Sequence, residues 1–153
     1  MKIRLMSLLA VAWMAVAGAV QAGEPVLRVA ADDTFRDALG EIGPLFTEST
    51  GMAVAMQYGE SGALAEGLLD GEGADVCFPA DAAALARLRE KGAVDVALVK
   101  NVVVMEREGE DPAYLPAVVL AASPNRLQAM AFLDFLTSET ARGVLAGHGF
   151  SLP

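Results

Sequence analysis

Short apolar runs alternate with helix-patterned segments along the first half of the chain, and this alternation limits the fold more than any other feature. Three runs predict buried strands: Val26–Ala30, Met52–Tyr58 and Ala74–Phe78. After each run, apolar residues recur at helical spacing until a glycine ends the segment. Such alternation is typical of a sheet whose successive strands run parallel and are joined by right-handed crossovers.

The second half continues the pattern less regularly. Val96–Met105 and Ala117–Ala122 are strand-like, whereas the acidic stretch Glu106–Pro116 carries two prolines and predicts an exposed surface loop. Two further helices are expected to begin near Ser123 and Ser138. Because 153 residues suit one domain better than two, we expect an α/β fold. It should be a single three-layer domain, with a mainly parallel sheet of about five strands and helices on both faces.

The beginning of the chain has the pattern of an export signal. Basic residues near the start precede an apolar run, Leu5–Val20, which leads into the small-x-small motif Val20-Gln21-Ala22. The run is shorter than the roughly 20 residues of a membrane-spanning helix. We therefore predict that residues 1–22 are a signal peptide and that residues 23–153 form the exported domain, with no membrane insertion after cleavage. An uncleaved anchor is the alternative.

Charge and composition exclude several classes of function. The formal net charge is -9, whereas nucleic-acid-binding domains carry clustered Lys and Arg. One cysteine, Cys77, and one histidine, His148, are too few for a cysteine or histidine metal centre, and a catalytic set lacks parts. We expect Cys77 to be a buried small hydrophobe and His148 to have a structural role at a helix end. The predictions are therefore no enzyme activity, no cofactor, no metal and no nucleic-acid partner.

Two predicted strand–helix junctions carry hydroxyl residues, Thr34 after the first strand and Ser61 after the second. Ligands of open α/β sheets bind beyond the carboxyl ends of the strands, where helix starts offer free backbone N–H groups and a positive dipole end. Two such helix starts side by side make a pocket for an oxyanion. Plain helix capping, the commonest role of Ser and Thr at these positions, is the alternative.

The sequence around these junctions resembles the periplasmic molybdate-binding proteins of ABC transporters, within the type II periplasmic-binding-protein superfamily. Three stretches carry the resemblance: LRVAADDTFRDALGEIGPLFTESTG, QYGESGALAEGLLDGEGADVCFPAD and AVVLAASPNRLQAMAFLDFLTSETARGVLAGHGF. It implies an exported periplasmic solute-binding protein that works with the membrane component of an ABC transporter. It also implies that Thr34 and Ser61 bind a small oxyanion, molybdate or tungstate.

The chain departs from that family in two respects. The family has two lobes joined by hinge strands, whereas here the blocks that match the first lobe are joined by Val96–Tyr114 alone, which implies one lobe without the second. Asp32, Asp33 and Glu60 stand where the family usually has small neutral residues. A carboxylate about 5 Å from an oxyanion repels it by roughly 3 kcal/mol per unit charge at an effective dielectric of ~20. These side chains form a solvated acidic rim or, alternatively, gather around a hard cation such as calcium.

Two functions follow from these observations and remain open. The first is an oxyanion-binding solute-binding lobe, which the hydroxyl pair favours. The second is a periplasmic interaction module, which the missing lobe favours. In that case the former ligand cleft docks another protein, a second copy of the chain or a cation, without oxyanion transport.

Overall fold

The computed structural model describes residues 25–105 and 108–153; the predicted signal peptide, residues 1–22, lies outside them. The strands are β1 (Leu27–Asp32), β2 (Val54–Gly59), β3 (Val76–Phe78), β4 (Val94–Met105), β5 (Ala113–Leu120) and β6 (Phe150–Ser151). The helices are α1 (Arg36–Thr50), α2 (Ser61–Leu69), α3 (Ala82–Glu90), α4 (Arg126–Phe135) and α5 (Glu139–Gly147). A 3-10 turn over Asp33–Phe35 leads from β1 into α1.

The strands form one sheet in the order β2-β1-β3-β5-β4-β6. β1 pairs in parallel with β2 and with β3, while β5 is antiparallel to both β3 and β4. β1, β2, β3 and β4 therefore all point the same way, as the predicted strand–helix units require. The predicted fold class, a single α/β domain, is confirmed.

The prediction of a mainly parallel sheet needs correction, because the sheet is mixed. β5 lies between β3 and β4, and β6 adds a short antiparallel strand beside β4, so that three of the five neighbouring pairs are antiparallel. The physical reason is the connection between β4 and β5, which spans only residues 106–112. A parallel neighbour needs a crossover of a dozen residues or more, so β5 must run back along β4.

The predicted surface loop, Glu106–Pro116, is shorter than expected. Residues 108–112 are exposed, but β5 already begins at Ala113, and Glu106 lies outside the described residues. Pro116 suggested a loop because proline donates no hydrogen bond to a sheet. The structure accommodates it beside a register shift in the β4–β5 pairing, which is one of the places where a strand tolerates proline.

Helices cover both faces of the sheet and confirm the three-layer architecture. Alternate residues of β1 face opposite sides: Leu27 and Val29 contact one core cluster and Ala30 the other. The first cluster packs α1, α4 and α5 against the sheet, around rings such as Phe46 and Phe132, whose centroids lie 5.1 Å apart. The second cluster packs α2 and α3 against the opposite face. β3, inside the sheet, is therefore buried on both sides, as its apolar sequence predicts. β2, at the edge of the sheet, is only half-buried, with Ala55 and Gln57 exposed.

A glycine ends the first helix as predicted and so fixes where β2 begins. Gly51 has a φ of 74°, and its N–H donates to the carbonyl of Thr47. This left-handed conformation is costly for residues with a Cβ and ordinary for glycine. The resulting turn places β2 parallel to β1, with Asp32 beside Gly59, so that both strands end at the same edge of the sheet.

A buried carboxylate joins three segments of the chain at the opposite, amino edge of the sheet. Asp75 is 3% exposed; its Oδ2 accepts from the Arg28 N–H at 2.8 Å and its Oδ1 accepts from the Ser123 hydroxyl at 2.7 Å. Asn125 Nδ2 donates to the same carboxylate at 3.3 Å. Since each oxygen has a donor, the group is satisfied within the protein and connects β1, β3 and the segment after β5.

None of the helices in the described part of the chain has both the length and the apolar character that crossing a bilayer would require.

We predict that Asp75→Ala lowers the free energy of unfolding by at least about 2 kcal/mol, because it leaves the buried Ser123 hydroxyl and the partly buried Arg28 amide without an acceptor. Chemical denaturation at neutral pH measures this. Asp70→Ala removes an exposed carboxylate and should change stability by no more than about 0.5 kcal/mol. Equal effects of the two substitutions would contradict the structural role of Asp75.

Candidate functional site

The two predicted hydroxyl residues meet at the carboxyl edge of β1 and β2, and both donate to the carboxylate of Asp32. Asp32 Oδ1 accepts from Thr34 N at 2.9 Å and from Thr34 Oγ1 at 2.7 Å. Asp32 Oδ2 accepts from Ser61 N at 3.0 Å and from Ser61 Oγ at 2.5 Å. Two hydroxyls and two backbone amides, from two separate elements, therefore converge on one anionic group.

Ser61 also connects this cluster to the end of β3. Its side chain is buried, with 2% of the residue exposed, and its Oγ accepts from Ala80 N at 2.9 Å. The hydroxyl therefore donates to Asp32 and accepts from Ala80, which uses both of its hydrogen-bonding roles. Through this one oxygen the ends of β1 and β3 are held to the start of α2.

The start of α2 is capped by Glu60 as well as by Asp32. Glu60 Oε1 accepts from Gly62 N at 3.0 Å and Oε2 accepts from Ala63 N at 3.1 Å, while Ser61 N donates to Asp32. Leu64 N, one turn in, donates to the Glu60 carbonyl. All of the N–H groups that a helix start normally leaves free are therefore paired with acceptors of the chain itself.

Asp33 is turned away from the two hydroxyls and pairs with a cation. Its Oδ1 lies 2.5 Å from Arg36 Nη2 and 3.2 Å from Nε. The same guanidinium lies over the ring of Tyr58, 4.7 Å from its centroid. The Arg36 charge is thus shared between Asp33 and Tyr58 on the exposed rim of the site.

Hydrogen bonding keeps Asp32 ionised. Partial burial raises the pKa of this carboxyl, but the bonds from the Ser61 hydroxyl, from the Thr34 amide and hydroxyl and from the Ser61 amide outweigh burial, and the net pKa lies below the ordinary value of 3.8. At neutral pH the site therefore contains a carboxylate, charged and held by four donors.

Three of the five residues singled out in the sequence lie together, and two do not. Thr34, Ser61 and Asp32 come together, whereas Asp33 and Glu60 each bind a different set of donors. The alternative role of Thr34 and Ser61 as plain helix caps does not hold, since Asp32 caps the 3-10 turn and Glu60 caps α2.

Sequence reasoning missed the contribution of Ala80 to this edge. Only its backbone N–H takes part, by donating to Ser61 Oγ, so its side-chain identity carried no signal. The signal that was available is positional: Ala80 follows the predicted third strand, whose carboxyl end reaches the same edge as those of the first two.

Cys77 and His148 have the structural surroundings that the sequence predicted. Cys77 is buried in the core under α2 and α3, and burial, together with the charge of Asp32, raises the pKa of its thiol to about 12. His148 ends α5, and its Nε2 lies 2.9 Å from Glu41 Oε1 on α1. Within residues 25–105 and 108–153, no group of three or more His, Cys, Asp or Glu side chains is placed to hold a metal ion.

A groove of about 660 Å³ lies at the amino edge of the sheet, at the opposite end of the strands from Thr34 and Ser61. Its lining includes Arg28, Asp75 and Asn125. The buried carboxylate in its wall already has donors on both oxygens, and the groove lies at the end of the sheet where open α/β folds do not bind ligands. The hydroxyl cluster at the carboxyl edge is therefore the stronger candidate.

The family model for bacterial extracellular solute-binding proteins matches residues 27–106 and 102–151. The chain therefore belongs to this family. The two matched segments overlap at residues 102–106, inside the stretch Val96–Tyr114 that joins the blocks of the predicted lobe.

Solved structures with the same fold are binding proteins. One is described as the substrate-binding domain of a molybdenum ABC transporter from Clostridium difficile, with a TM-score of 0.74, 13% identity and coverage of 84% of this chain and 99% of that one. The molybdate-binding protein of Azotobacter vinelandii has a TM-score of 0.72, 13% identity and coverage of 83% and 99%.

The sulfate-binding protein SubI of Mycobacterium tuberculosis has a TM-score of 0.65, 14% identity and coverage of 82% and 86%. At such identities the likeness establishes the shared fold alone. No curated protein matches the sequence.

The low pKa of Asp32 predicts how its contribution to stability depends on pH. Because the folded-state pKa lies below the ordinary value of 3.8, the stabilisation is fully present above that value and is lost as the pH falls through the folded-state pKa. We expect the difference in unfolding free energy between wild type and Asp32→Asn to be constant from pH 7 to about 5 and to shrink below pH 3.8. Urea denaturation across this range measures it.

Ser61→Ala removes the hydroxyl that contributes most to lowering this pKa, so the pH-dependent part of the difference should be smaller in its background. If the difference in unfolding free energy between wild type and Asp32→Asn stays the same from pH 7 to 3, Asp32 is not held as an ion.

Proposed function

We propose that this chain is an exported, periplasmic solute-binding protein of the ABC-transporter type, and that its ligand site is the hydroxyl cluster at Thr34 and Ser61. The ligand class we propose is a small oxyanion such as molybdate or tungstate. The signal-peptide pattern of residues 1–22, which leaves residues 23–153 as the exported domain, supports export. The family membership supports a role in binding a solute.

The convergence of donors on Asp32 is the observation that carries the proposal. In an oxyanion site, hydroxyl and amide donors converge on the place that the bound anion takes. Thr34 and Ser61 supply four such donors, at 2.5 to 3.0 Å from the oxygens of a carboxylate. The fold neighbours described as molybdate- and sulfate-binding proteins add support for an anionic ligand.

We expect the affinity to be modest, for two physical reasons. A single lobe leaves the outer side of the ligand in water, where hydrogen bonds to it are weaker than in an enclosed site. The exposed carboxylates of Asp33 and Glu60, together with Asp32, also repel an anion. Strong binding would require a second surface over the site, supplied by self-association or by the transporter.

We predict that the domain from residue 23 onward binds sodium molybdate with a dissociation constant no tighter than about 10 μM, or about -7 kcal/mol. Calorimetry under conditions where the protein is monomeric measures this. Ser61→Ala should weaken binding by about 1–3 kcal/mol, a factor of about 5 to 150, because one donor to a charged group is lost.

Ser123→Ala is the matched control for that substitution. Ser123 is also a buried serine that donates to an aspartate, but at the amino edge of the sheet, so its removal should leave molybdate affinity unchanged. A nanomolar constant for the monomer would contradict the account of the open, acidic site. Equal weakening by both substitutions would show that the serines act through stability and not through ligand contact.

The second candidate function is a docking face for a protein, either a second copy of the chain or a transporter component, with no oxyanion bound. The observation that favours it is that Asp32 and Glu60 already pair the donors of Thr34 and of the α2 start. Sedimentation equilibrium with and without molybdate separates the two functions. Self-association that is independent of molybdate and is lost in Glu60→Lys would favour docking; a monomer that is stabilised by molybdate would favour the first function.

A further inference from the structure

The carboxylate of Asp32 occupies the position that the proposed function assigns to a ligand. Each of its oxygens accepts one hydroxyl and one amide N–H, Oδ1 from Thr34 and Oδ2 from Ser61. A carboxylate presents two oxygens on one carbon, much as one edge of a tetrahedral oxyanion presents two oxygens on its central atom. The donors therefore already hold an anion of suitable shape and charge.

Ordinary helix capping does not account for this arrangement. A capping aspartate needs only the amide two or three residues further along its own chain, which here is Thr34 N. The bonds from Ser61 come from the start of a different helix, 29 positions away in the sequence. Asp33 and Glu60, by contrast, bind within three residues of their own positions. Asp32 alone of the three rim carboxylates joins two elements.

The backbone keeps this carboxylate close to its donors. Asp32 is the last residue of β1 and is paired with Gly59 of β2, so only rotation of its side chain moves the carboxylate away. An intramolecular group competes at an effective concentration that is commonly millimolar or higher. An oxyanion in solution must therefore compete with the Asp32 carboxylate for the same donors. Once displaced, the carboxylate remains nearby and repels the bound anion.

We propose that Asp32 is an internal ligand of the oxyanion site, an autoinhibitory contact that keeps the site closed to molybdate until the carboxylate is displaced. This inference rests on the proposed function, since it concerns the same donors. It also makes residue 32 the position that sets the affinity of the site.

The test compares two single-charge removals at adjacent positions. Asp32→Ala frees the donors and removes one charge, whereas Asp33→Ala removes one charge and frees none of the four donors. Sodium molybdate is titrated calorimetrically into the domain from residue 23 onward, at pH 7 and at a temperature where circular dichroism shows each variant folded. We expect Asp32→Ala to bind molybdate at least about tenfold tighter than wild type, and Asp33→Ala to gain no more than about threefold.

Two further variants protect the test against misfolding and misplaced binding. Asp32→Asn keeps the size of the side chain and removes its charge, and it replaces Asp32→Ala if that variant does not fold. Asp32→Ala combined with Ser61→Ala should lose most of the gained affinity, because the binding uses the Ser61 donors. A gain that survives the second substitution would place the ion elsewhere and overturn the inference.

The remaining outcomes separate the inference from the proposed function. If wild type binds molybdate and Asp32→Ala binds it no tighter, the internal-ligand inference is wrong and the proposed function stands. If only Asp32→Ala binds, the inference is supported and oxyanion binding by the native chain is not. If Asp33→Ala gains as much as Asp32→Ala, the effect is charge repulsion and the inference fails. If no variant binds, both fail.

Discussion

The hydrogen bonds between Asp32 and the donors of Thr34 and Ser61 determine the architecture of the carboxyl edge of this sheet. Ser61 is almost completely buried, and an unpaired buried donor costs about 1–3 kcal/mol. Without the Asp32 carboxylate, the amide and the buried hydroxyl of Ser61 would lose their acceptor at the start of α2. Asp32 supplies that acceptor from the end of β1 and accepts from the exposed Thr34 as well.

The same pairing of an aspartate with a serine occurs at the other edge of the sheet, with a different physical outcome. Asp75 and Ser123 are both buried, and the Asp75 carboxylate accepts from three residues, Arg28, Ser123 and Asn125. Asp32 is only partly buried, and its neighbour Thr34 is exposed. An enclosed carboxylate cannot be exchanged and acts as a structural link. A carboxylate at an open edge can be displaced by another anion. The two clusters therefore use the same kind of hydrogen bond, but only the Asp32 cluster can exchange its anion.

Much of the fold follows from local patterns, whereas the sheet order and the occupant of the site do not. Each strand–helix unit is a local signal, and the common direction of β1, β2 and β3 was predicted from it. The return of β5 between β3 and β4 depends on contacts far apart in sequence, which periodicity does not report. Likewise, hydroxyls at helix starts predicted that Thr34 and Ser61 face one edge. That Asp32 accepts from both depends on the side-chain geometry at a strand end, whereas the sequence predicted for it an acidic rim or a cation site.

The titration of the Asp32 carboxyl carbon by NMR tests the central claim most directly, with the amide protons of Thr34 and Ser61 followed in the same samples. If four donors hold this carboxylate, its pKa lies below 3.8, and both amide protons shift with the same midpoint as the carboxyl carbon because they lose the same acceptor charge. A pKa at or above 3.8, with amide protons that do not respond to that titration, would show that Asp32 does not occupy the site.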